Sequence, residues 1–225
     1  FIYWCGKHSQ PVVKTAVEYA ATLAKYEKFK KHGLIDGMEK MKKTFQKVNL
    51  DALFYVDFYS VERFGKTKLG QLLLYAKQSQ NKKIISELAE IVRPTAAVLM
   101  KKYKIDGIGF IPPTVKRDVQ LIKEIEKKMR FSQQSIKIIK IKTEIAVPQK
   151  TLSKLSERIE NARATFIVEG SAIYNNILLI DDALGSGATL NEVAAQIRRK
   201  NLCRGKIIGL AITGSFKGFD VISEV

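Results

Sequence analysis

The residues best suited to chemistry lie in one run, at positions 177–190. A strand-like apolar stretch is followed by two adjacent carboxylates, Asp181 and Asp182, and then by a turn that contains Gly185 and Gly187. In open α/β sheets, ligands bind just beyond the carboxyl ends of the strands, which is where this order would place the acids. The acids and the turn are therefore expected to face a ligand.

The glycine turn predicts an anion cradle. Gly185 and Gly187 allow successive backbone N–H groups to point inward. The positive end of a helix that starts near Ala188, together with the hydroxyls of Ser186 and Thr189, would complete a phosphate site. A P-loop would have a lysine after the glycines, and a dinucleotide-binding fingerprint would have a third glycine. This turn has neither residue, which argues against both nucleotide-binding motifs.

The two aspartates further restrict the class of ligand that the site would bind. Asp181 and Asp182 would repel a pyrophosphate group, but they suit sugar hydroxyls and a divalent cation. Acids next to a monophosphate cradle predict a site for a ribose 5-phosphate. The structural alternative is that the aspartates cap the helix and the glycines only turn the chain.

The elements that must position these residues alternate along the second half of the chain. Strands are predicted at 108–111, 136–141, 165–168, 176–180 and 206–213, and helices at 115–129 and 188–200. This alternation is typical of an α/β fold with a parallel sheet that is covered by helices on both faces. The acid pair would then lie at the carboxyl end of a buried strand.

The first half of the chain is predicted to be mainly helical. Helices at 10–47 and 67–103, the second kinked or divided by Pro94, flank a strand at 52–61. We predict a helical N-terminal region at 1–65 and an α/β core from about residue 105. In the first helical stretch, four apolar residues share one face: Val13, Val17, Ala20 and Ala24.

Composition limits the class of protein. A chain of 225 residues, 46% hydrophobic and 27% charged, is not disordered and can bury a core without disulfides. No apolar run is long enough to span a bilayer. Two cysteines, Cys5 and Cys203, favour a reducing cytoplasm. The net charge of +17 implies an anionic partner, for which nucleic acid, membrane phosphate and phosphorylated metabolites all qualify.

Positions 181–189 resemble the phosphoribosyl pyrophosphate (PRPP) motif of type I phosphoribosyltransferases, with Gly185 and Ser186 where two threonines are usual. The resemblance implies that Asp181 and Asp182 bind the ribose hydroxyls and contact Mg²⁺ indirectly. It also implies a loop that holds the 5-phosphate. The loop residues are Leu184, Gly185, Ser186, Gly187, Ala188 and Thr189.

A stretch that begins at Gln149 is similar to a signature of the ComF family within that class, where it forms a mobile loop over PRPP. The similarity implies that Lys150 and Arg158 are catalytic residues that neutralise the leaving pyrophosphate, and that Gln149 and Asn161 belong to the loop. Closure of residues 142–164 would exclude the water that otherwise hydrolyses PRPP.

Residues 110–120 resemble the family's strand and turn that meet pyrophosphate. The implied pyrophosphate-side residues are Pro112, Pro113, Thr114, Lys116 and Arg117. Asp118 stands where the family has glycine, and Lys77 matches the lysine of a family helix. The similarity extends over about residues 66–225, which we predict to be one phosphoribosyltransferase domain.

The resemblance implies an enzyme that transfers phosphoribose from PRPP to a nitrogen acceptor with release of pyrophosphate, and Mg²⁺ as its cofactor. The sequence does not identify the acceptor. It does not determine the oligomeric state either, and a homodimer is one of the states that stay open. The family usually begins with a zinc finger, of which only Cys5 and His8 could be remnants.

Two other hypotheses stay open. One is a PRPP-sensing or catalytically silent protein of the DNA-uptake (competence) type, associated with single-stranded DNA or another nucleic acid. Lysines at 25–47, interleaved with Tyr26, Phe29 and Phe45, would track phosphates and stack bases. The other is a phosphoribosyltransferase recruited to defence or signalling through its front region.

Overall fold

The structure is a computed structural model that describes residues 1–113, 117–141 and 155–215. The helices in these ranges are α1 (Ile2–Lys7), α2 (Val12–Glu27), α3 (Met38–Thr44), α4 (Lys68–Ser79), α5 (Lys82–Tyr103), α6 (Leu121–Met129), α7 (Leu155–Thr165) and α8 (Ala188–Arg199). The strands are β1 (Lys30–Lys31), β2 (Leu34–Asp36), β3 (Ala52–Phe58), β4 (Gly107–Phe110), β5 (Gln134–Ser135), β6 (Lys137–Lys140), β7 (Phe166–Glu169), β8 (Ile177–Leu184) and β9 (Ile207–Gly214).

The main sheet has seven strands in the order β1-β2-β3-β9-β8-β4-β5. The five strands from β3 to β5 in that order are parallel, whereas β1 and β2 are antiparallel additions at the edge beside β3. Strands β6 and β7 form a separate antiparallel pair. The predicted α/β class, with a mostly parallel sheet flanked by helices, is confirmed.

Helices cover both faces of the sheet because its central strands are apolar on both sides. In β8, for example, Leu178 and Ile180 pack with α4, α5 and α6, whereas Ile177 and Leu179 pack with α8 on the opposite face. All four side chains are fully buried. This two-sided burial is typical of parallel strands.

The chain leaves the two central strands in opposite directions. From β4 it passes through α6 to β5, and from β8 it passes through α8 to β9 on the other side of the sheet. The carboxyl ends of β4 and β8 therefore border a topological switch point, where α/β sheets bind their ligands.

The N-terminal region contributes more to the sheet than its sequence pattern predicts. Strand β3 pairs along its length with β9, so the sheet begins well before residue 105. The predicted helical stretch at 10–47 is interrupted by the β1–β2 hairpin. Its turn contains His32 and Gly33, both with positive φ.

Helix α2 buries a different face from the one that its apolar residues suggest. Val13 and Val17 are 79% and 66% exposed, whereas Thr15 and Tyr26 are buried. The Tyr26 ring packs edge-on against Phe58 with centroids 4.6 Å apart. We infer that aromatic packing decides the orientation, because a large ring buries more apolar area than valine or alanine.

Three predicted boundaries also shift. The break between α4 and α5 lies at Gln80, which has a left-handed backbone, and Asn81 then caps α5; Pro94 lies inside α5. Helix α6 begins at Leu121 rather than 115. Strand β8 continues to Leu184, so both aspartates lie within the strand instead of following it.

Candidate functional site

The candidate site lies along the edge of the sheet where the parallel strands end. Asp181 and Asp182 occupy the last half of β8, and Pro112 and Pro113 follow the adjacent strand β4. The acid pair and the proline-containing turn were found as separate motifs in the sequence, and the fold brings their strands together. This neighbourhood is the switch point defined above.

The two aspartates experience different surroundings. Successive residues of a strand point to opposite faces, so Asp182 faces α4 and Asp181 faces the other side. The Nζ atom of Lys77 on α4 lies 2.9 Å from Oδ2 of Asp182, and the lysine side chain is only 8% exposed. Lys77 therefore supplies a buried counter-charge to Asp182.

Asp181 has no such counter-charge at contact distance in the part of the chain that the structure describes. Burial, followed by repulsion from the Asp182 charge, raises the pKa of Asp181 to about 8. A hydrogen bond from the backbone N–H of Asp182 to Oδ1 of Asp181, 2.8 Å long, opposes this shift only in part. Asp181 therefore keeps its proton to a higher pH than a free aspartate does.

The glycine turn connects β8 to α8 and is held against α3. Gly187 has φ of +82° and is the N-terminal boundary residue of α8. A Cβ atom at this position would clash with Sδ of Met41. At Gly185, by contrast, the nearest atom to such a Cβ is Nη1 of Arg158, 3.8 Å away. The turn is thus closely packed at Gly187 and more open at Gly185.

The aspartates do not cap α8. The structural alternative, in which their role is to cap this helix, is therefore wrong on that point. The boundary residue Gly187 makes no side-chain capping bond. Instead, Oγ of Ser186 accepts a 3.3 Å hydrogen bond from the backbone N–H of Ala188. Ser186 and Ala188 are buried, and Thr189 is partly exposed. The turn retains the residue types and the helix start that an anion cradle needs.

Arg158 lies on a helix, within the stretch that the sequence resemblance predicts to be a mobile loop. It belongs to α7, which packs against α8, and its side chain is 4% exposed. Burial lowers the pKa of the Arg158 guanidinium. The packing of α7 is what brings this arginine to Gly185, so it adds positive charge beside the turn.

Asn161, which was also predicted for the loop, lies on α7 as well. Its Oδ1 accepts a 3.4 Å hydrogen bond from the Thr165 hydroxyl, while its Nδ2 is buried without a hydrogen-bond partner among the described residues. The part of the predicted loop at 155–164 is helical. Gln149, Lys150, Thr114 and Lys116 lie outside the described ranges, and Arg117 is half-buried before α6.

Sequence reasoning missed the contribution of α3 and β9. Lys40 on α3 donates a 2.8 Å hydrogen bond from Nζ to Oγ of Ser215, which follows β9 at the same sheet edge. Thr213, near the end of β9, is fully buried and its hydroxyl lacks a partner in the described part of the chain. The rule that drew attention to the end of β8 applies equally to β9, whereas no sequence signal distinguishes Lys40 from neighbouring lysines.

Asp181 and Asp182 are the carboxylates from which an Mg²⁺ site shared with a substrate could be built. Among the described residues, no cluster of three or more His, Cys, Asp or Glu side chains could hold a metal alone. Magnesium commonly binds through one or two carboxylates together with substrate phosphates, and Asp181 with Asp182 could supply that contribution. Cys5 and Cys203 are both buried thiols, and burial raises the pKa of Cys203.

The lysine-rich segment at 25–47 does not form the predicted base-stacking face. Tyr26 and Phe45 are 3% and 8% exposed and belong to the core, so Phe29 is the one of the three aromatics that stays accessible. Lys43 pairs with an acid one turn away. In the ranges that the structure describes, no helix has the length and apolar character needed to cross a membrane.

Comparisons with known proteins give little further information. No protein-family model matches this chain, and no curated protein matches it. Among solved structures, a hypoxanthine-guanine phosphoribosyltransferase from Bacillus anthracis is similar over 59% of this chain and 79% of its own, with 9% identity and a TM-score of 0.32. A TM-score this low carries no argument, and the ComF resemblance stays a prediction from sequence.

Proposed function

We propose that this chain binds PRPP with Mg²⁺ and transfers the phosphoribosyl group to a nitrogen acceptor, releasing pyrophosphate. The observation that carries the proposal is the position of the acid pair and glycine turn at the end of β8, beside β4 at the switch point. Carboxylates suit sugar hydroxyls, and a helix N-terminus suits a phosphate. Together they favour a phosphorylated sugar over a nucleoside triphosphate.

In this proposal, the 5-phosphate binds in the turn at residues 184–189. The first backbone N–H groups of α8 have no acceptors within the helix, and its N-terminus carries partial positive charge. Arg158 contributes a full positive charge from beside Gly185. Because Gly185 is the open part of the turn, the phosphate would approach there.

The acid pair binds the ribose and stabilises the charge that develops on it. The acceptor nitrogen forms a bond to C1 while the bond from C1 to the pyrophosphate oxygen breaks, and the ribose ring becomes positively charged. The 2.9 Å ion pair with Lys77 holds Asp182 in place, so its carboxylate is preorganised for this transition state. Asp181 must lose its proton to contribute, and a bound cation favours that loss.

The leaving pyrophosphate lies on the β4 side of the crevice. Pro112, Pro113 and Arg117 border that side, and Thr114 with Lys116 complete the predicted set. When bound, Mg²⁺ neutralises charge on the departing pyrophosphate. The sequence resemblance alone assigns Lys150 to the same end of the substrate and Gln149 to the loop over PRPP.

The proposal is tested by titrating Mg²⁺–PRPP calorimetrically into the wild type and into Asp181→Asn/Asp182→Asn, followed by a pyrophosphate-release assay. We expect binding to the wild type and a loss of at least about tenfold in the variant, since charged hydrogen bonds contribute about 1.5–3 kcal/mol each. Glu87→Gln/Glu90→Gln removes two exposed acids from α5 and serves as the matched control.

The results separate the open hypotheses. Pyrophosphate release in the presence of some nitrogen base identifies an enzyme. Binding without release, across all bases tested, supports the PRPP-sensing alternative. Absence of binding to the wild type, or equal binding to the acid-pair variant, contradicts the proposed site.

A further inference from the structure

The outer side of α5 carries an exposed apolar stripe. On its inner side, α5 shares a hydrophobic core with the main sheet, α4 and α6, and Leu88 and Leu99 are buried there. On the outer side, Ile91 and Val98 are 41% and 62% exposed, and Pro94 between them is exposed as well. Single exposed apolar side chains are common on protein surfaces, whereas neighbouring ones on the same side of a helix form a continuous contact surface.

The stripe ends in an acid on one side and a base on the other. Glu87, Ile91, Pro94, Val98 and Lys101 follow one another at steps of four, three, four and three residues. This spacing keeps all five on one side of the helix, and it is typical of helices that pack against each other at about 20°. The stripe therefore has an apolar centre and charged ends, which is the usual arrangement of a contact surface between proteins.

The two charged ends are complementary to each other. Glu87 lies seven residues before Pro94 and Lys101 lies seven residues after it, so each is about 10.5 Å from the centre along the helix axis. If two antiparallel copies of α5 were related by a two-fold axis at Pro94, Glu87 of each copy would lie opposite Lys101 of the other. Neither side chain forms an ion pair within the described ranges, so both charges are available to a second copy.

We propose that this stripe is the interface of a homodimer, in which two α5 helices pack antiparallel across a two-fold axis at Pro94. A parallel pair would bring Glu87 against Glu87 and Lys101 against Lys101, and like charges that face each other across an interface repel. A surface rich in phosphate would attract one end of the stripe and repel the other end. The order of charges along the stripe therefore favours a second copy in the antiparallel orientation.

The interface is small, so we expect the association to be reversible. From Glu87 to Lys101 the stripe extends about 21 Å along α5, which allows contact between one pair of helices. Interfaces below the standard area of a stable complex are typical of transient association. The stripe contains no residue of the candidate site, and the dimer therefore does not depend on the proposed function.

The proposal is tested by sedimentation equilibrium of the full chain over a range of protein concentrations. We expect the apparent mass of the wild type to rise from that of a monomer towards twice that value. Glu87→Lys and Lys101→Glu should each weaken association by about tenfold or more, because symmetry places the pair twice in the dimer and each attraction becomes a repulsion. Glu87→Lys/Lys101→Glu should restore association, since reversing both charges recreates the pair of opposite charges.

A mixture of the two single variants gives a second measurement. The Glu87→Lys variant is positive at both ends of the stripe, whereas the Lys101→Glu variant is negative at both ends. Each variant alone should associate weakly. An equal mixture should form a heterodimer, because every charged end then faces an opposite charge.

Two further variants serve as controls. Arg93→Glu reverses an exposed charge on the same helix, about 100° around its axis from Pro94, and should associate as the wild type does. Ile91→Ser/Val98→Ser removes the apolar centre and should weaken association at low and high salt alike, whereas the effect of the charge reversals should fade at high salt. Because the substituted side chains are exposed, the variants should fold, and circular dichroism verifies this.

Several results would overturn the proposal. A wild type that is monomeric at every concentration would do so, and would leave a different protein as the partner of the stripe. Dimers that both single charge reversals leave unchanged would point to a parallel pair or to another surface. The antiparallel pairing is also refuted if Arg93→Glu weakens association as much as Lys101→Glu does, or if Glu87→Lys/Lys101→Glu fails to restore it.

Discussion

Replacing Asp181 by asparagine should change how the stability of the protein depends on pH. Burial and the charge of Asp182 raise the pKa of Asp181 to about 8, whereas an aspartate in an unfolded chain has a pKa of about 3.9. Between these values, the folded protein binds a proton that the unfolded chain does not bind. The free energy of unfolding therefore falls as the pH rises. This contribution is fully present below about pH 4 and is lost as the pH rises through about 8.

The expected change in the free energy of unfolding follows from the number of protons by which the folded and unfolded states differ. One proton gives a slope of at most about 1.4 kcal/mol per pH unit. Between pH 5 and pH 7, the stability of the wild type relative to Asp181→Asn should therefore fall by up to about 3 kcal/mol. Asparagine does not titrate, and groups that are unaffected by the substitution cancel in the difference.

The measurement is urea denaturation at pH 5, 6 and 7, followed by circular dichroism. Asp106→Asn is a control whose difference from the wild type should stay constant from pH 5 to 7, because the pKa of Asp106 is shifted in the opposite direction. Burial tends to raise the pKa of Asp106, but hydrogen bonds from Asn175 and Asn176 outweigh it and lower the pKa. Its contribution is therefore present above the unfolded pKa and is lost as the pH falls. If the wild type and Asp181→Asn keep a constant difference in stability from pH 5 to 7, Asp181 is ionised in the folded protein and the reasoning is refuted.

Three further substitutions test the packing around the site by denaturation at pH 7. Lys77→Met should lower the free energy of unfolding by at most about 3–5 kcal/mol, the cost for a fully buried pair, because it leaves the partly buried Asp182 without its counter-charge. Lys77→Met/Asp182→Leu should recover most of the loss, and an unchanged single variant would contradict the ion pair. Gly187→Ala should lower the free energy of unfolding by about 1–3 kcal/mol, because alanine is strained at a positive φ and its Cβ would clash with Met41. An unchanged free energy of unfolding would mean that the turn can shift freely. Val17→Lys should change stability by no more than about 0.5 kcal/mol, because the side chain is 66% exposed; a large loss would show that this face of α2 is covered.

The sequence predicts the second half of the fold well because its signals there are local. The strands that become β8 and β9 are continuous apolar runs, and such runs occur where both faces of a parallel strand are buried. Helix α8 is predicted within one residue of its end, since a glycine turn precedes a regular amphipathic stretch. The acid pair and the turn are identified by their order alone.

The first half is predicted less well because its elements depend on distant contacts. The hairpin of β1 and β2 forms next to β3, with Ile35 opposite Tyr55, and this pairing overrides the helical pattern at 10–47. The orientation of α2 follows from the packing of Tyr26 against Phe58, the last residue of β3. Neither contact is visible in a local pattern, because the partners lie about 20 or more residues away in sequence.

For the candidate site, the sequence by itself determined the residue types: two acids at the end of a buried strand, a glycine turn, and a helix that begins there. Only the tertiary structure decided that Lys77 pairs with Asp182, that Arg158 is buried beside Gly185, and that α3 packs against Gly187. The physical reason is that residue order specifies local backbone geometry, whereas burial and the distance between charges depend on how helices from separate parts of the chain pack. Those two quantities set the pKa of Asp181, and with it the charge of the site.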